Sequence, residues 1–276
     1  MPANGVLDLC EACTTGKMHR TPFPRSSGSR AKEVIELIHS DVCGPFSEPT
    51  FGGARYFVTF VDDKSRKVWV HTIAQKSEVF GLFKELKAML ENQTNKTIKT
   101  LRTDNGGEYT SNRFKQFLVS VGIKHQLSVA YNPQQNGVAE RMNRTLKEMM
   151  RSLLGDSDLP NGYWGEAVRT AAYLRNRCPS RAIDGKSPEQ VFSGKVPGLS
   201  HLKAFGSKAY VFVPDARRRE LDPKANEWIF VGYSEETKAY RLVNQSTKEI
   251  KLSRDVKFDE RKSSSGENRL ATAQIC

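Results

Sequence analysis

Long apolar runs are missing from this 276-residue chain, whose mean hydropathy is −0.56. None approaches the ~20 residues that a membrane-spanning helix requires. The opening MPANGVLDLC lacks both the basic and the long apolar region of a secretory signal. Cysteine is scarce: Cys10, Cys13, Cys43, Cys178 and Cys276 are an odd, scattered set without disulfide-framework spacing, which suits a reducing interior. Internal repeats are absent too. A soluble, intracellular chain with no membrane partner is the expectation. Acidic residues are outnumbered, 31 against 43 Lys and Arg, leaving +12. A basic surface binds polyanions by neutralising phosphates and releasing counterions, so nucleic acid is favoured, but charge alone does not separate an enzyme from a binder. The length allows one large or two modest domains, each able to bury a core.

What the chain does have is a set of placed carboxylates. Asp104 closes a short strand-like run, and Asn105-Gly106-Gly107 then break the strand with residues able to take unusual backbone angles. Glu140 follows with 35 residues between the two acids, one turn into a strongly amphipathic helix, and Asp41 sits upstream in the apolar run VIELIHSDVCGPF. Two acids on strand ends and one on a helix suit a pair of hard divalent cations. Mg²⁺ takes a few carboxylate oxygens plus water and phosphate, and two ions clamp the attacking and leaving oxygens of an in-line displacement. The rivals are His39, Asp62, Asp63 and Glu108. His39 would share a strand face with Leu37 and Asp41, yet hard cations prefer oxygen to imidazole, so it is read as a polar neighbour. Adjacent acids in a hairpin turn cap or solvate it, which keeps Asp62 and Asp63 out of the site.

Spacing on the Glu140 helix points the same way. Met142, Leu146, Met149 and Leu153 form an apolar stripe at 4-3-4 spacing. Glu140, Arg144, Lys147 and Arg151 repeat that spacing displaced by two, nearly on the opposite face. A Glu followed four residues later by Arg is by itself an ordinary solvated pair. In the company of Asp41, Asp104 and the NPQQNG loop it reads as an acid followed by a row of phosphate contacts. Asn105, Gln134, Gln135 and Asn136 add amide side chains suited to phosphates and base edges.

The segments HSDVCGPF, LRTDNGGEY and YNPQQNGVAERMNRTL resemble the three signature segments of the integrase core of copia-type LTR retrotransposons. That core is similar to retroviral integrase and has the D,D(35)E acid pattern. The resemblance runs from about Cys10 to about Glu260. It implies an α/β fold, a ribonuclease-H-like core with a mixed five-stranded sheet and helices, followed by a small SH3-like β-barrel. By position it implies Asp41, Asp104 and Glu140 as catalytic and metal-binding acids with Mg²⁺ or Mn²⁺ in a two-metal site. It further implies 3′-end processing and strand transfer, double-stranded DNA partners (element ends and target), and a homo-oligomer. A cytoplasmic particle before integration and the nucleus at integration are the implied locations. The alternative is an inactive nucleic-acid-binding relic that keeps fold and charge without chemistry.

Cys10 and Cys13 have the C-x₂-C spacing of half a zinc site, and His19 is the nearest further ligand. In the resembled family a His-His half precedes such a pair; no histidine occurs before His19, so residues 1–22 read as a truncated remnant of the zinc-binding domain and zinc is not expected to be held. Residues 23–32 read as a basic linker, 33–196 as the catalytic core with a helical extension, 197–262 as the SH3-like domain and 263–276 as a disordered tail. Within the core, Ser77 is expected to cap a helix carrying Phe80, Phe83, Leu86 and Leu90. Ser111 or Asn112 starts another with Phe114, Phe117, Leu118 and Val121 inward, and Leu159–Gly194 continues helically with Arg169, Arg175, Arg177, Arg181 and Lys186 as backbone contacts. From Phe205 four or five short strands suggest a small barrel. A protease is disfavoured because no D-[ST]-G occurs, and a reverse transcriptase because no Y-x-D-D occurs. A ribonuclease H usually offers a fourth acid and no NPQQNG segment.

Overall fold

The computed structural model describes residues 30–128, 136–157 and 159–260. Cys10, Cys13, His19, Gln134, Gln135 and the expected tail lie outside them. The described residues from Ala31 onward form one compact unit. Its first sheet joins β1 (Leu37–Cys43), β2 (Tyr56–Asp62), β3 (Val68–Ile73), β4 (Thr100–Thr103) and β5 (Lys124–Leu127) in the order β3-β2-β1-β4-β5. The β1–β2 and β2–β3 pairs are antiparallel, the β1–β4 and β4–β5 pairs parallel, giving the mixed sheet expected. Alternation along β2 sorts its side chains between two cores. Val58 and Phe60 face α1 (Val79–Thr94), α2 (Gly107–Thr110) and α3 (Asn112–Ser120). Phe57 and Val61 face α4 (Gly137–Ser157) and α5 (Trp164–Arg177). Helices on both faces explain why β2 is buried almost throughout.

The second sheet is antiparallel in the order β10-β6-β7-β8-β9, from β6 (Lys208–Phe212), β7 (Ala225–Tyr233), β8 (Tyr240–Val243), β9 (Ile250–Ser253) and β10 (Val256–Asp259). Five strands are thus present, the upper end of the four or five expected. This sheet packs Ala209, Val211, Trp228, Phe230, Tyr233 and Leu242 into its own core. Val231 and Val243, however, join the cluster of α4 and α5, so one apolar core bridges the two sheets.

Several local expectations need correction. Ser77 lies inside a 3₁₀ turn, Lys76–Glu78, whose entry is held by the Gln75 N–H donating to the Glu78 carboxylate at 2.7 Å. Ser111 does cap α3, accepting from the Phe114 N–H, but Val121 ends outside at 37% exposure, beyond the last helical turn. The helix expected through Gly194 stops at Arg177. Cys178 precedes Pro179, and the proline ring clashes with a helical predecessor, so Cys178 is extended. A separate α6 (Pro188–Ser193) follows, with Ser187 accepting from the Gln190 N–H and Gly194 left-handed at its end. Arg175 donates to Ser180 Oγ, and Arg177 stacks on Tyr173, its guanidinium carbon 3.3 Å from the ring centroid. These two arginines hold the helix end, whereas Arg169 on the same helix stays exposed.

Candidate active site

Asp41 lies near the carboxyl end of β1, paired in register with Thr59 of β2. The parallel register between β1 and β4 sets His39 opposite Arg102. Two residues further along stand Asp41, still on β1, and Asp104, just past the end of β4, so continuing the register sets these acids abreast. Parallel strands are ~4.8 Å apart, close enough for strong like-charge coupling. Burial, and after it the Asp104 charge, push the Asp41 carboxyl up to about 6, with Glu140 contributing in the same direction. Asp41 therefore feels both of the other acids. Among the described residues, no three His, Cys, Asp or Glu side chains stand close enough together to hold an ion.

Glu140 is brought to this strand end by its own helix. Three residues after it, Asn143 donates from Nδ2 to Asp41 Oδ2 at 2.9 Å, and its Oδ1 accepts from Thr59 Oγ1 at 2.8 Å. Asn143 is only 4% exposed. The buried face of α4 is Ala139, Met142, Asn143, Leu146, Met150 and Leu154, while Met149 and Leu153 are half-buried at its margin. At about 100° per residue, this turns the buried stripe roughly 60° from the expected one. The row Glu140, Arg144, Lys147, Arg151 consequently flanks the core contact instead of lying opposite it. Lys147 and Arg151 are near enough to β1 to act on the Cys43 thiol, which burial raises, Lys147 lowers, Asp41 raises and Arg151 lowers. The cations thus run beside the acid strand, with Arg144 and Arg151 exposed and Lys147 partly so.

The loop after β4 is organised by local hydrogen bonds. Asp104 Oδ1 accepts from the Gly106 N–H at 3.0 Å, and the Asn105 amide donates to the Ser128 carbonyl at 2.8 Å. Asn105 remains exposed to an incoming ligand. Asn136 does not: it is 1% exposed, and its Nδ2 donates to the Ser40 carbonyl at 3.2 Å. Its expected contact with DNA gives way to a role in seating the start of α4 against β1, because a buried amide is held by backbone it must satisfy. Ser40 in turn meets Tyr109 Oη at 2.6 Å. Asn143, Thr59 and Tyr109 went unread in the sequence. The only signal was a polar residue, Asn143, inside an otherwise apolar helical stripe.

The rival acids are fully occupied elsewhere. Asp62 accepts from the Ile35 N–H and from Ser65, and burial raises its carboxyl despite those bonds. Burial works against the Asp63 charge too, yet His39 at 3.0 Å, the Ala31 N–H and Arg66 hold that carboxyl well below the usual range. His39 itself is fully buried and, chiefly through that burial, kept from protonating. The expected solvation of the turn is wrong and its capping right, and none of these groups joins Asp41. Glu108 pairs with Lys76 at 3.1 Å.

Two family models match the chain: the integrase core domain over residues 31–133 and the retroviral polymerase SH3-like domain over residues 207–271. The chain is 47% identical over 251 residues to the retrovirus-related Pol polyprotein from transposon TNT 1-94 of Nicotiana tabacum, covering 91% of this chain and 19% of that polyprotein. It is 36% identical over 262 residues to the Pol polyprotein from transposon RE2 of Arabidopsis thaliana, covering 94% and 18%. It therefore spans about a fifth of the length of these curated relatives. Among solved structures, the simian T-cell lymphotropic virus intasome in complex with PP2A regulatory subunit B56 gamma matches with a TM-score of 0.54 at 19% identity, covering 90% of this chain and 87% of that one. At that identity the match speaks for the fold, a ribonuclease-H-like core followed by an SH3-like sheet. With both family segments present in order and up to 47% identity to plant transposon polyproteins, the chain carries an integrase core domain followed by a retroviral polymerase SH3-like domain and is similar to the matching region of copia-type Pol polyproteins.

Proposed function

We propose that the chain is a DNA integrase, a polynucleotidyl transferase that trims the 3′ ends of element DNA and joins them to target DNA. The observation that carries this reading is the convergence on Asp41. Its carboxyl is strained toward protonation by burial and by Asp104 and Glu140, while Asn143 ties the Glu140 helix to it. Drawn closer together than they stand here, these oxygen donors would suit a hard divalent cation, which would relieve the repulsion on Asp41. Mg²⁺ or Mn²⁺, when bound, supplies Lewis-acid stabilisation of the attacking and leaving oxygens.

The chain's own residues do the positioning. Asp41, Asp104 and Glu140 would supply the oxygen ligands, and Asn143 holds one oxygen of Asp41 in place. From Glu140 to Arg151 the helix rises about 16 Å, so Arg144, Lys147 and Arg151 form a row matched to several phosphates at ~3.4 Å spacing on one strand. Double-stranded DNA is the proposed partner, with more than one copy of the chain holding two ends.

The test is a strand-transfer assay on a short duplex bearing the element's own terminus, run with Mg²⁺, with Mn²⁺ and with chelator. Joining is expected with either metal and not with chelator. Glu140→Gln and Asp104→Asn are expected to abolish joining while DNA affinity stays at or above that of the parent. Joining that survives in either variant removes the assignment.

A further inference from the structure

Away from the acids, a cavity of about 300 Å³ opens between the loop after β1, the start of α5 and the turn joining β8 to β9. None of Asp41, Asp104 and Glu140 lines it. Its walls include two aromatic rings, Phe51 and Tyr163, at 4.7 Å between centroids. Phe51 is 52% exposed, an unusual place for a bare phenyl ring, whereas Tyr163 is 3% exposed. The loop lies flat on α5's approach because Gly162 has no side chain: a Cβ there would meet the Phe51 ring at 2.9 Å.

Two cations reach the same space. Lys248 Nζ sits 5.1 Å from the Phe51 centroid and 5.7 Å from that of Tyr163, and Arg169 donates to Thr72 Oγ1 at 2.9 Å. Neither has an ion-pair partner among the described residues. The two acids of the lining are engaged: Glu166 by both arms of Arg241, at 2.6 and 2.8 Å, and Glu78 by the Gln75 N–H. The Tyr163 hydroxyl has no hydrogen-bond partner among the described residues. Burial keeps it protonated, so it is a donor in want of an acceptor, covered by the half-exposed Phe51 and by Lys248.

We propose that this cavity binds a single unstacked nucleotide, its phosphate between Lys248 and Arg169 and its base against Phe51. A volume at the small end of ligand pockets admits one nucleotide and no duplex. Aromatic faces accept any base, and unpaired cations accept the phosphate, which is the combination used for single-stranded nucleic acid. An oxygen of base or phosphate that shifts Phe51 also meets the Tyr163 hydroxyl. The site lies where the two sheets adjoin, so an unpaired strand held there is gripped by both.

The test is titration of the full, isotope-labelled chain with thymidine 5′-monophosphate, thymidine or inorganic phosphate, following backbone amide shifts. Thymidine monophosphate is expected to move the amides of Phe51, Gly162 and Lys248 saturably, and each half-ligand alone to bind at least about tenfold more weakly. Lys248 has φ 59°, a left-handed conformation that asparagine tolerates. Lys248→Asn should therefore fold normally and lose about tenfold in affinity, as expected for one charge-assisted contact, while Lys248→Arg retains binding. Glu140→Gln should bind like the parent, which separates this cavity from the acid site. The proposal is overturned if the three amides do not move, if inorganic phosphate binds as well as the nucleotide, or if Lys248→Asn has no effect at an unchanged melting temperature.

Discussion

Asp41 is held in its ionised form against burial and two neighbouring acids, and the consequence is measurable without any activity. Its folded carboxyl titrates at about 6, above the ~3.9 of an unfolded chain. A raised carboxyl binds more protons in the folded state. The metal-free protein therefore bears the full penalty above pH 6, and the penalty fades as the pH falls from about 6 to 4. Asp41→Asn, which still offers an oxygen to Asn143, should stabilise the metal-free chain at pH 7 by about 1–3 kcal/mol once partial exposure is allowed for. That gain should shrink toward pH 4, while joining is lost. Thermal melts of the two proteins across pH 4–8 check this. Subtracting the variant's curve removes the opposite trend from His39 and Asp63, whose lowered values make the fold lose stability in acid. A variant less stable than the parent at pH 7 would show that Asp41 is not strained.

At the scale of one element, α4 does two jobs with two adjoining faces. Its apolar face anchors it to the sheet through Leu146 and Met150, and its flank carries Glu140 and the cations along β1. Lys147→Glu should cut end processing strongly and flatten the salt dependence of DNA affinity by about one phosphate's worth of counterion release. Its melting temperature should barely move, because Lys147 belongs to the flank. An unfolded core with an unchanged salt slope would instead make the row structural. Asn143→Ala has the reverse signature. It leaves the Thr59 hydroxyl only its longer bond to the Asp41 carbonyl, at 3.3 Å, and strips one Asp41 oxygen of its donor in a buried place, so a loss of about 1–3 kcal/mol is expected, with a lower turnover and an unchanged salt slope. Urea melts and binding at two salt concentrations distinguish the two faces.

Across the whole molecule, the SH3-like sheet is packed onto α5 closely enough to be part of one folding unit. Thr170 donates to the Val231 carbonyl at 3.0 Å, and Arg241 grips Glu166 with two bonds. Gly232, at φ 146°, passes so near Thr170 that a Cβ would sit 2.6 Å from its Oγ1. Urea unfolding should be a single transition reported alike by Trp228 in the second sheet and by Trp69 and Trp164 in the core. Gly232→Ala should destabilise by at least ~2 kcal/mol, from a clash and a backbone angle alanine avoids, and split the transition in two. Two separate transitions in the parent would show that the shared cluster of Val231 and Val243 couples nothing.

The sequence by itself determined most of the elements and singled out the three acids as candidates. Alternation in YFVTFVD, the Ser111 and Ser187 caps and the break at Cys178-Pro179 are local effects of backbone geometry, although neither Ser187 nor the break was read. Asp104 and Glu140 were legible from their spacing and their motif company. What tertiary structure alone decided is how these parts face one another. The parallel register of β1 and β4 brings Asp41 beside Asp104, and no local pattern encodes a pairing between segments so far apart. The rotation of α4 follows from a hydrogen bond between Asn143 and Asp41, which makes a polar residue part of the buried face and invalidates a stripe drawn from hydrophobicity. Burial likewise turned Asn136, His39, Asp62 and Asp63 into internal ties, because a polar side chain removed from water takes its partners from whatever the fold sets beside it. That neighbour is chosen by the packing of the whole chain.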